Sequence, residues 1–544
     1  MIKEEIKTNI EKALISLNIK SDNIIIQEPR NHKDVDYATN IALIISKDLN
    51  KNPMEIAENI AIELKSNNNE MFDEIIIAKP GFINFKLSSN QYLKRISSII
   101  EAGDKYGQSN SGKNKNALIE FVSANPTGPL TIGHGRGAII GEFASNILEW
   151  NGFKVEREYY FNNAGRQMRK LAESVRARYL EKFNIDTDFP EDGYQGEYIS
   201  NIADQMKNDL SDKLIDIENL DTIKDYSEEK IFAEIKSTLS KLNIRFDNFF
   251  NERDLYENQS IFKIVESLKK DGLAYEKDGA TWFNATELGL SQDRVLIKST
   301  GEPTYRLPDM AYHQDKFNRD YDLIIDVFGA DHLDAYPDVL AVCKYLGHDT
   351  NKIKVLVHQF VTIQEDGKPV KMSTRKANFI SLDDLINEVT PDVVKYFFSM
   401  RGINSHLNFD LNLAKDQSDQ NPVFYIQYAH ARAINIIKKS KDEGLYSINK
   451  FDYTQLSNSE EIKLIKCLLK FPELVIKSMD DLEPQLISNY LMEVASAFHH
   501  YYAKHKVINE NEPLSIARTV LVDATRQVLF NGLNILGLSA PNKM

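Results

Sequence analysis

Cysteine is nearly absent: Cys343 and Cys467 are the only two, far apart and in no C-x-x-C pair. That excludes a disulfide framework and a cysteine zinc site, and it fits a reducing compartment. No apolar run reaches the roughly 18 to 20 residues that a membrane-spanning helix needs. The opening MIKEEIKTNIEKALISLNI places apolar residues at helical spacing among charges of both signs. It lacks the unbroken apolar stretch of a secretory signal, and its acidic residues argue against a transit peptide. A cytoplasmic chain with no membrane partner is expected. Basic excess is missing too, since 80 acidic residues against 66 basic ones give a net charge of −14. This excludes little, because a large chain can confine its cations to one face. There is no repeat at solenoid periods.

What is present divides the 544 residues into three parts. Residues 1–108 read as a small α/β unit, with extended pieces at IIIQ and EIIIAKPGFINFKL. Residues 109–412 follow the polar linker SNSGKNKN and open with ALIEFVS, a run suited to a buried parallel strand. A Pro-containing loop and a helical pattern over about Gly133 to Trp150 come next, with Gly152 placed to stop the helix. Strand, phosphate-sized loop and helix N-terminus open a doubly wound, Rossmann-like α/β sheet. LIIDVFG and VLVHQFVTI supply further strands, with a hairpin turn at Asp366-Gly367, and a helical, charged insertion is expected at about 165–300. Thr390 and Pro391 are placed to start a helix. Residues 413–544 read as an all-α bundle.

Two segments carry chemistry. EFVSANPTGPLTIGHGRG, Glu120 to Gly137, offers Gly133, Gly135 and Gly137 where backbone can approach a phosphate, with His134 and Arg136 at a helix N-terminus. Alone, it is as easily plain helix-start punctuation. Lys371-Met372-Ser373-Thr374-Arg375-Lys376 suits a triphosphate or leaving pyrophosphate, though taken alone it reads as a solvated basic loop. The pair on one α/β sheet is more specific than either.

Together they resemble the class I aminoacyl-tRNA synthetases. TIGH, Thr131 to His134, stands where that class has HIGH, and KMSTR, Lys371 to Arg375, where it has KMSKS. EYYFNNAGRQ, DGATWF, TYRLPDMAYH, GADH, MRGINSHLNFDL and NPVFYIQYAHAR resemble the arginyl family, and the likeness runs from NHKDVDYATNIAL to the terminal GLSAPNKM. It implies an enzyme that activates arginine with MgATP, without a permanently bound cofactor or metal, and transfers it to tRNA(Arg). A monomer is expected, with tRNA needed for activation, a tRNA-contacting N-terminal domain and a C-terminal anticodon-binding bundle.

The resemblance also assigns residues. His134, Lys371 and Ser373 would be catalytic, and Thr131, Gly133, Gly329, Asp331, His332 and Met372 would join them in binding ATP. Glu120, Ser123, Asn125, Tyr305 and Asp309 would line the arginine pocket, with Asp309 and Glu120 toward the guanidinium. Asp309 alone, beside Pro308, reads more readily as a helix cap. In the bundle Tyr425, Tyr428 and Arg432, with His430, would meet unstacked bases, although any one tyrosine is as readily half-buried core. A metal site at Asp331, His332 and Asp334 lacks characteristic spacing. Thr131 and Thr374 are departures that each remove a charge, Gly128 stands where some relatives carry lysine, and Arg136, Arg375 and Lys376 are candidates to compensate. A catalytically silent tRNA-binding paralogue and a small-acid nucleotidyltransferase are the rival readings. The intact pocket residues count against the first and the C-terminal third against the second.

Overall fold

The computed structural model describes every residue except 1, 22, 30–34, 68–69, 164, 217–218, 331–332 and 371–380. The KMSTR segment, together with Asp331 and His332, therefore lies outside the described residues.

The N-terminal unit packs helices Ile2–Ser16 and Pro53–Asn67 with a four-stranded antiparallel sheet. Ile6, Ile10 and Ala13, one helical turn apart, are fully buried.

The centre is a five-stranded, wholly parallel sheet: β1 (Asn116–Glu120), β2 (Lys154–Phe161), β3 (Asn248–Asn251), β4 (Leu323–Gly329) and β5 (Ile353–His358). Their spatial order is 5-4-1-2-3, so the chain reverses direction of winding between β1 and β4. Ligands bind at such a switch point, beyond the carboxyl ends of the strands. Ala117, Leu118 and Ile119 are fully buried, as a strand covered on both faces requires. Helix α1 (Ile132–Trp150) follows β1, and Gly152 at φ +92° ends it as expected.

The insertion differs from the expected helical stretch. Helices Arg166–Glu181, Glu197–Leu210 and Asp221–Lys241 fill its first part, but β3 then rejoins the main sheet. Residues between Ala274 and Ile297 form a three-stranded antiparallel sheet. β3 is only NFFN, too short for its period to be read. Helix α2 (Arg306–Asn318) leads into β4.

VLVHQFVTI likewise splits. Its first half is β5, while β6 (Val361–Glu365) pairs with β7 (Lys368–Pro369) and β8 (Leu407–Asp410) in a separate sheet. Asp366 and Gly367 both have positive φ, +51° and +71°, as a tight hairpin demands. Thr390 does occupy the cap position before Pro391, but its hydroxyl makes no cap bond.

The last third is helical, including α3 (Pro422–Asp442), α4 (Gln485–Lys504) and α5 (Glu512–Ile535). α5 is the bundle's central helix, buried along most of its length. Its Asn531 amide donates to the carbonyls of Gly103 and Tyr106, joining the bundle to the chain before the sheet.

Candidate active site at the sheet switch point

Helix α1 begins with a reciprocal cap. The Thr131 hydroxyl accepts from the His134 N–H at 3.4 Å, and the Thr131 N–H donates to His134 Nδ1 at 3.2 Å. An Nδ1 that accepts leaves the ring proton on Nε2, on the far side of the ring from the cap. Thr131 is thus a helix cap, whose hydroxyl oxygen accepts from the backbone and keeps its own O–H to donate. A Cβ added at Gly128 would lie 3.0 Å from the Tyr198 ring, so any larger residue there requires Tyr198 to shift.

The three glycines do different work. A Cβ on Gly133 would meet only ordinary contact among the described residues, with Thr131 Oγ1 at 3.7 Å. A Cβ on Gly135 would strike Leu382 at 2.5 Å, and one on Gly137 would come within 3.0 Å of His358. These two let α1 approach Leu382 and β5 closely. Ser381 directly follows the segment outside the described residues, and Leu382 comes next. The Leu382 N–H donates to the Leu130 carbonyl at 2.8 Å, and Ser381 bridges to Thr131. The chain leaving residues 371–380 is therefore tied to the start of TIGH.

Arg136 does not compensate for the lost charges. It is fully buried and donates to the carbonyls of Gln359 at 2.7 Å and Gly402 at 3.0 Å. Burial pushes its guanidinium down to about 10, so it stays charged at neutral pH. Its role is to clamp the β5–β6 junction. Arg136→Met should cost about 2–4 kcal/mol, because two buried carbonyls lose their donors. Urea denaturation with an unchanged m-value tests this, and a shift below about 0.5 kcal/mol would exclude the clamp.

Across the switch point lies a cluster of charges. Glu120 ends β1 and stands beside Asp326 of β4 in register. Its carboxylate accepts from Ser123 Oγ at 2.7 Å and from Lys316. Lys316 also donates to Asp326 Oδ1 at 2.7 Å, while Asp326 Oδ2 meets His313 Nε2 at 2.8 Å. His313 Nδ1 lies 3.0 Å from Asp309 Oδ1. Asp309 is thus no helix cap; it sits in the first turn of α2, one turn beyond the exposed Tyr305. Val122 and Ser123 hold positive φ, +68° and +42°, which is costly for a β-branched residue and marks a constrained loop. Ser123 Oγ also accepts from the Tyr160 N–H, fastening this loop to β2. Asn125 sits further along, bonded to Gln167.

The electrostatics follow from burial and pairing. Burial pushes Glu120 upward, opposed by Lys316. Burial also favours neutral His313, but Asp309 and Asp326 outweigh it and hold the ring up at about 10. The sign is that of a raised group: this stabilisation is complete below the ordinary value of 6.5 and is lost as pH rises to about 10. His313 is expected to remain an imidazolium at pH 8. NMR of histidine-labelled protein checks this, and a neutral ring at pH 8 would contradict it.

Gly329 ends β4 on the same edge. Asp334 is claimed by Arg294 at 3.2 Å and Arg306 at 2.8 Å, which removes it from any metal site. Among the described residues, no cluster of acidic, histidine or cysteine side chains could hold a metal ion.

On the bundle, the Arg432 guanidinium lies 4.3 Å over the exposed Tyr428 ring and 5.0 Å over Tyr502. It also donates to His499 Nδ1 at 3.3 Å, and the His499 ring lies tilted 4.7 Å from that of half-buried Tyr425. Burial lowers His499, so its Nδ1 is free of a proton and accepts. His430 does not belong here: it is buried against Phe530 and bonded to the Pro541 carbonyl. His499 and Tyr502 were not legible beforehand, because they come from α4 and meet α3 only in the fold.

Three family models match the chain in turn. An arginyl tRNA synthetase N terminal domain covers residues 2–87, a class I (R) tRNA synthetase catalytic domain 95–396, and a DALR anticodon binding domain 426–544. The chain is 47% identical to an arginine–tRNA ligase of Desulfotalea psychrophila, over 95% of this chain and 94% of the relative. It is 43% identical to that of Salinibacter ruber over the full length of both. In fold it is similar to the Thermus thermophilus arginyl-tRNA synthetase, with a TM-score of 0.77, 20% identity and all of both chains covered.

Proposed function

Because the chain belongs to the arginyl-tRNA synthetase family, we propose that its switch-point site activates arginine with MgATP and then charges tRNA(Arg). The arginine carboxylate attacks the α-phosphate, a new O–P bond forms, and pyrophosphate leaves. A ribose hydroxyl of the tRNA terminus, by family resemblance the 2′-hydroxyl, then attacks the arginyl carbonyl and AMP departs. Positioning and electrostatic stabilisation account for the chemistry, with no covalent enzyme intermediate.

The observation that carries this reading is the meeting of a capped helix N-terminus and an acidic pocket at one switch point. The start of α1 is a place for negative oxygens: its free backbone donors and dipole favour phosphate at Gly133, and His134 Nε2–H adds a directed donor. The carboxylates of Glu120 and Asp309, beside Ser123 and Tyr305, offer a site for a guanidinium, whose planar fork matches a carboxylate bidentately. Asn125 is assigned to the α-amino and carboxylate end. Lys371, Met372 and Ser373, from the segment anchored at Ser381, are assigned to the departing phosphates. Asp331 and His332, beyond Gly329, are assigned to the adenosine.

The Tyr425, Tyr428 and Arg432 cluster, extended by His499 and Tyr502, is assigned to anticodon bases, which stack on aromatic and guanidinium faces. The N-terminal domain is assigned to tRNA as well, and the enzyme to the cytoplasm as a monomer. No described helix is long and apolar enough to cross a membrane. Charging of a tRNA(Arg) transcript with labelled arginine tests the reading, with lysine and citrulline as controls. Arginine alone should be esterified, and no product with any amino acid would overturn it.

A further inference from the structure

Beneath the pocket the charges form a branch, and the branch point is Asp326. Its two carboxylate oxygens are both used, Oδ1 by Lys316 and Oδ2 by His313. Each cation then reaches a second, more exposed carboxylate: Lys316 reaches Glu120, and His313 reaches Asp309. Asp309, His313 and Lys316 are spaced by four and three residues on α2, so one helix face presents all three. Asp326 comes from the neighbouring strand, at the level of Glu120.

Access separates the two layers. The side chain of Asp326 is 1% exposed and that of Lys316 0%, whereas Asp309 is 36% exposed. Asp326 and Lys316 cannot touch a substrate, while Asp309 can. Buried ion pairs add little stability over apolar residues of the same size, so stability alone gives no reason to keep this set. Three carboxylates, Glu120, Asp309 and Asp326, share Lys316 and the His313 imidazolium. Other groups pack against the same face. Glu158 is matched by Arg319 and receives the Tyr312 hydroxyl. Glu252 accepts from the Tyr160 hydroxyl, and burial pushes it upward as it does Glu120. Tyr336 packs on His313 without a charge of its own.

We propose that Asp326, acting through His313 and Lys316, is a positioning device that fixes Asp309 and Glu120 where they accept a singly charged guanidinium in preference to a neutral isostere. This rests on the function proposed above. Asp326 and His313 are positioning residues, and their effect reaches the substrate only through the two pocket carboxylates.

The test is Asp326→Asn and His313→Gln in the full chain, assayed by tRNA(Arg) charging. In both variants the KM for arginine should rise about 10–100-fold, the range found when outer partners of a binding group are removed. The KM for ATP should stay within about twofold, because the helix N-terminus is untouched. Preference for arginine over citrulline should fall with the rise in KM. An arginine KM within about twofold of the unmodified chain in both variants overturns the proposal. So does a parallel rise in both KM values, or loss of the folded state, since either assigns the branch a structural role only. If the unmodified chain charges no arginine, the functional reading itself falls and takes the proposal with it.

Discussion

Asp309→Asn should lower kcat/KM for arginine about 10²–10³-fold, with nearly all of the loss in the arginine KM. Asparagine keeps the shape of the side chain and removes only its charge. Truncating one partner of a desolvated, hydrogen-bonded charge pair costs about 2–5 kcal/mol, and each 1.4 kcal/mol is tenfold. Asp309 is the more exposed of the two carboxylates, while Glu120 is already engaged by Lys316 and Ser123. The guanidinium therefore depends on Asp309 more than on Glu120. Arginine-dependent ATP–pyrophosphate exchange in the presence of tRNA(Arg) reads this directly. An arginine KM within about threefold of the unmodified chain would remove Asp309 from the pocket.

His134→Ala should act on the other parameter. It removes the donor that the proposed function assigns to the phosphates, and loss of one preorganised donor of this kind costs about 10²–10³ in kcat. The arginine KM should barely move, because the pocket carboxylates lie across the switch point. The same substitution strips the Thr131 N–H of its acceptor, so part of the loss could come from fraying of α1. A lost cap costs about 0.5–2 kcal/mol, too little to unfold a helix buried along most of its length. Thermal denaturation separates the two effects: a near-normal melting temperature with a low kcat places the loss in the chemistry. Unimpaired kcat would exclude His134 from the reaction.

The doubly wound sheet was readable because ALIEFVS and LIIDVFG are short apolar runs beside turn residues, and β1 and β4 are where they point. Glu120 and Asp309 could be named only from the family resemblance of their segments, and the structure brings both into one charge cluster. What escaped was the layer behind them. Lys316 on a polar-looking helix reads as a solvated charge, and only its spacing from Asp309 and His313 hinted otherwise. Asp326 left a clearer trace, as an acid in the middle of an apolar strand that has to be paired once buried. Thr131 looked like a weakened catalytic position because a motif comparison sees the missing imidazole and not the backbone N–H that its hydroxyl satisfies. Arg136 looked available because burial cannot be read from a charge beside three glycines. β3 and the cluster joining His499 to Tyr425 depend on long-range packing, which no local period reports.

The central claim is that one switch-point site joins a phosphate-binding helix N-terminus to a pocket that reads the charge of a guanidinium. Arginine-dependent ATP–pyrophosphate exchange tests it most directly, run with tRNA(Arg) present and with citrulline in place of arginine. The account predicts exchange with arginine and at most background with citrulline, which has nearly the same shape and no charge. Equal exchange with both amino acids, or none with either, would contradict it.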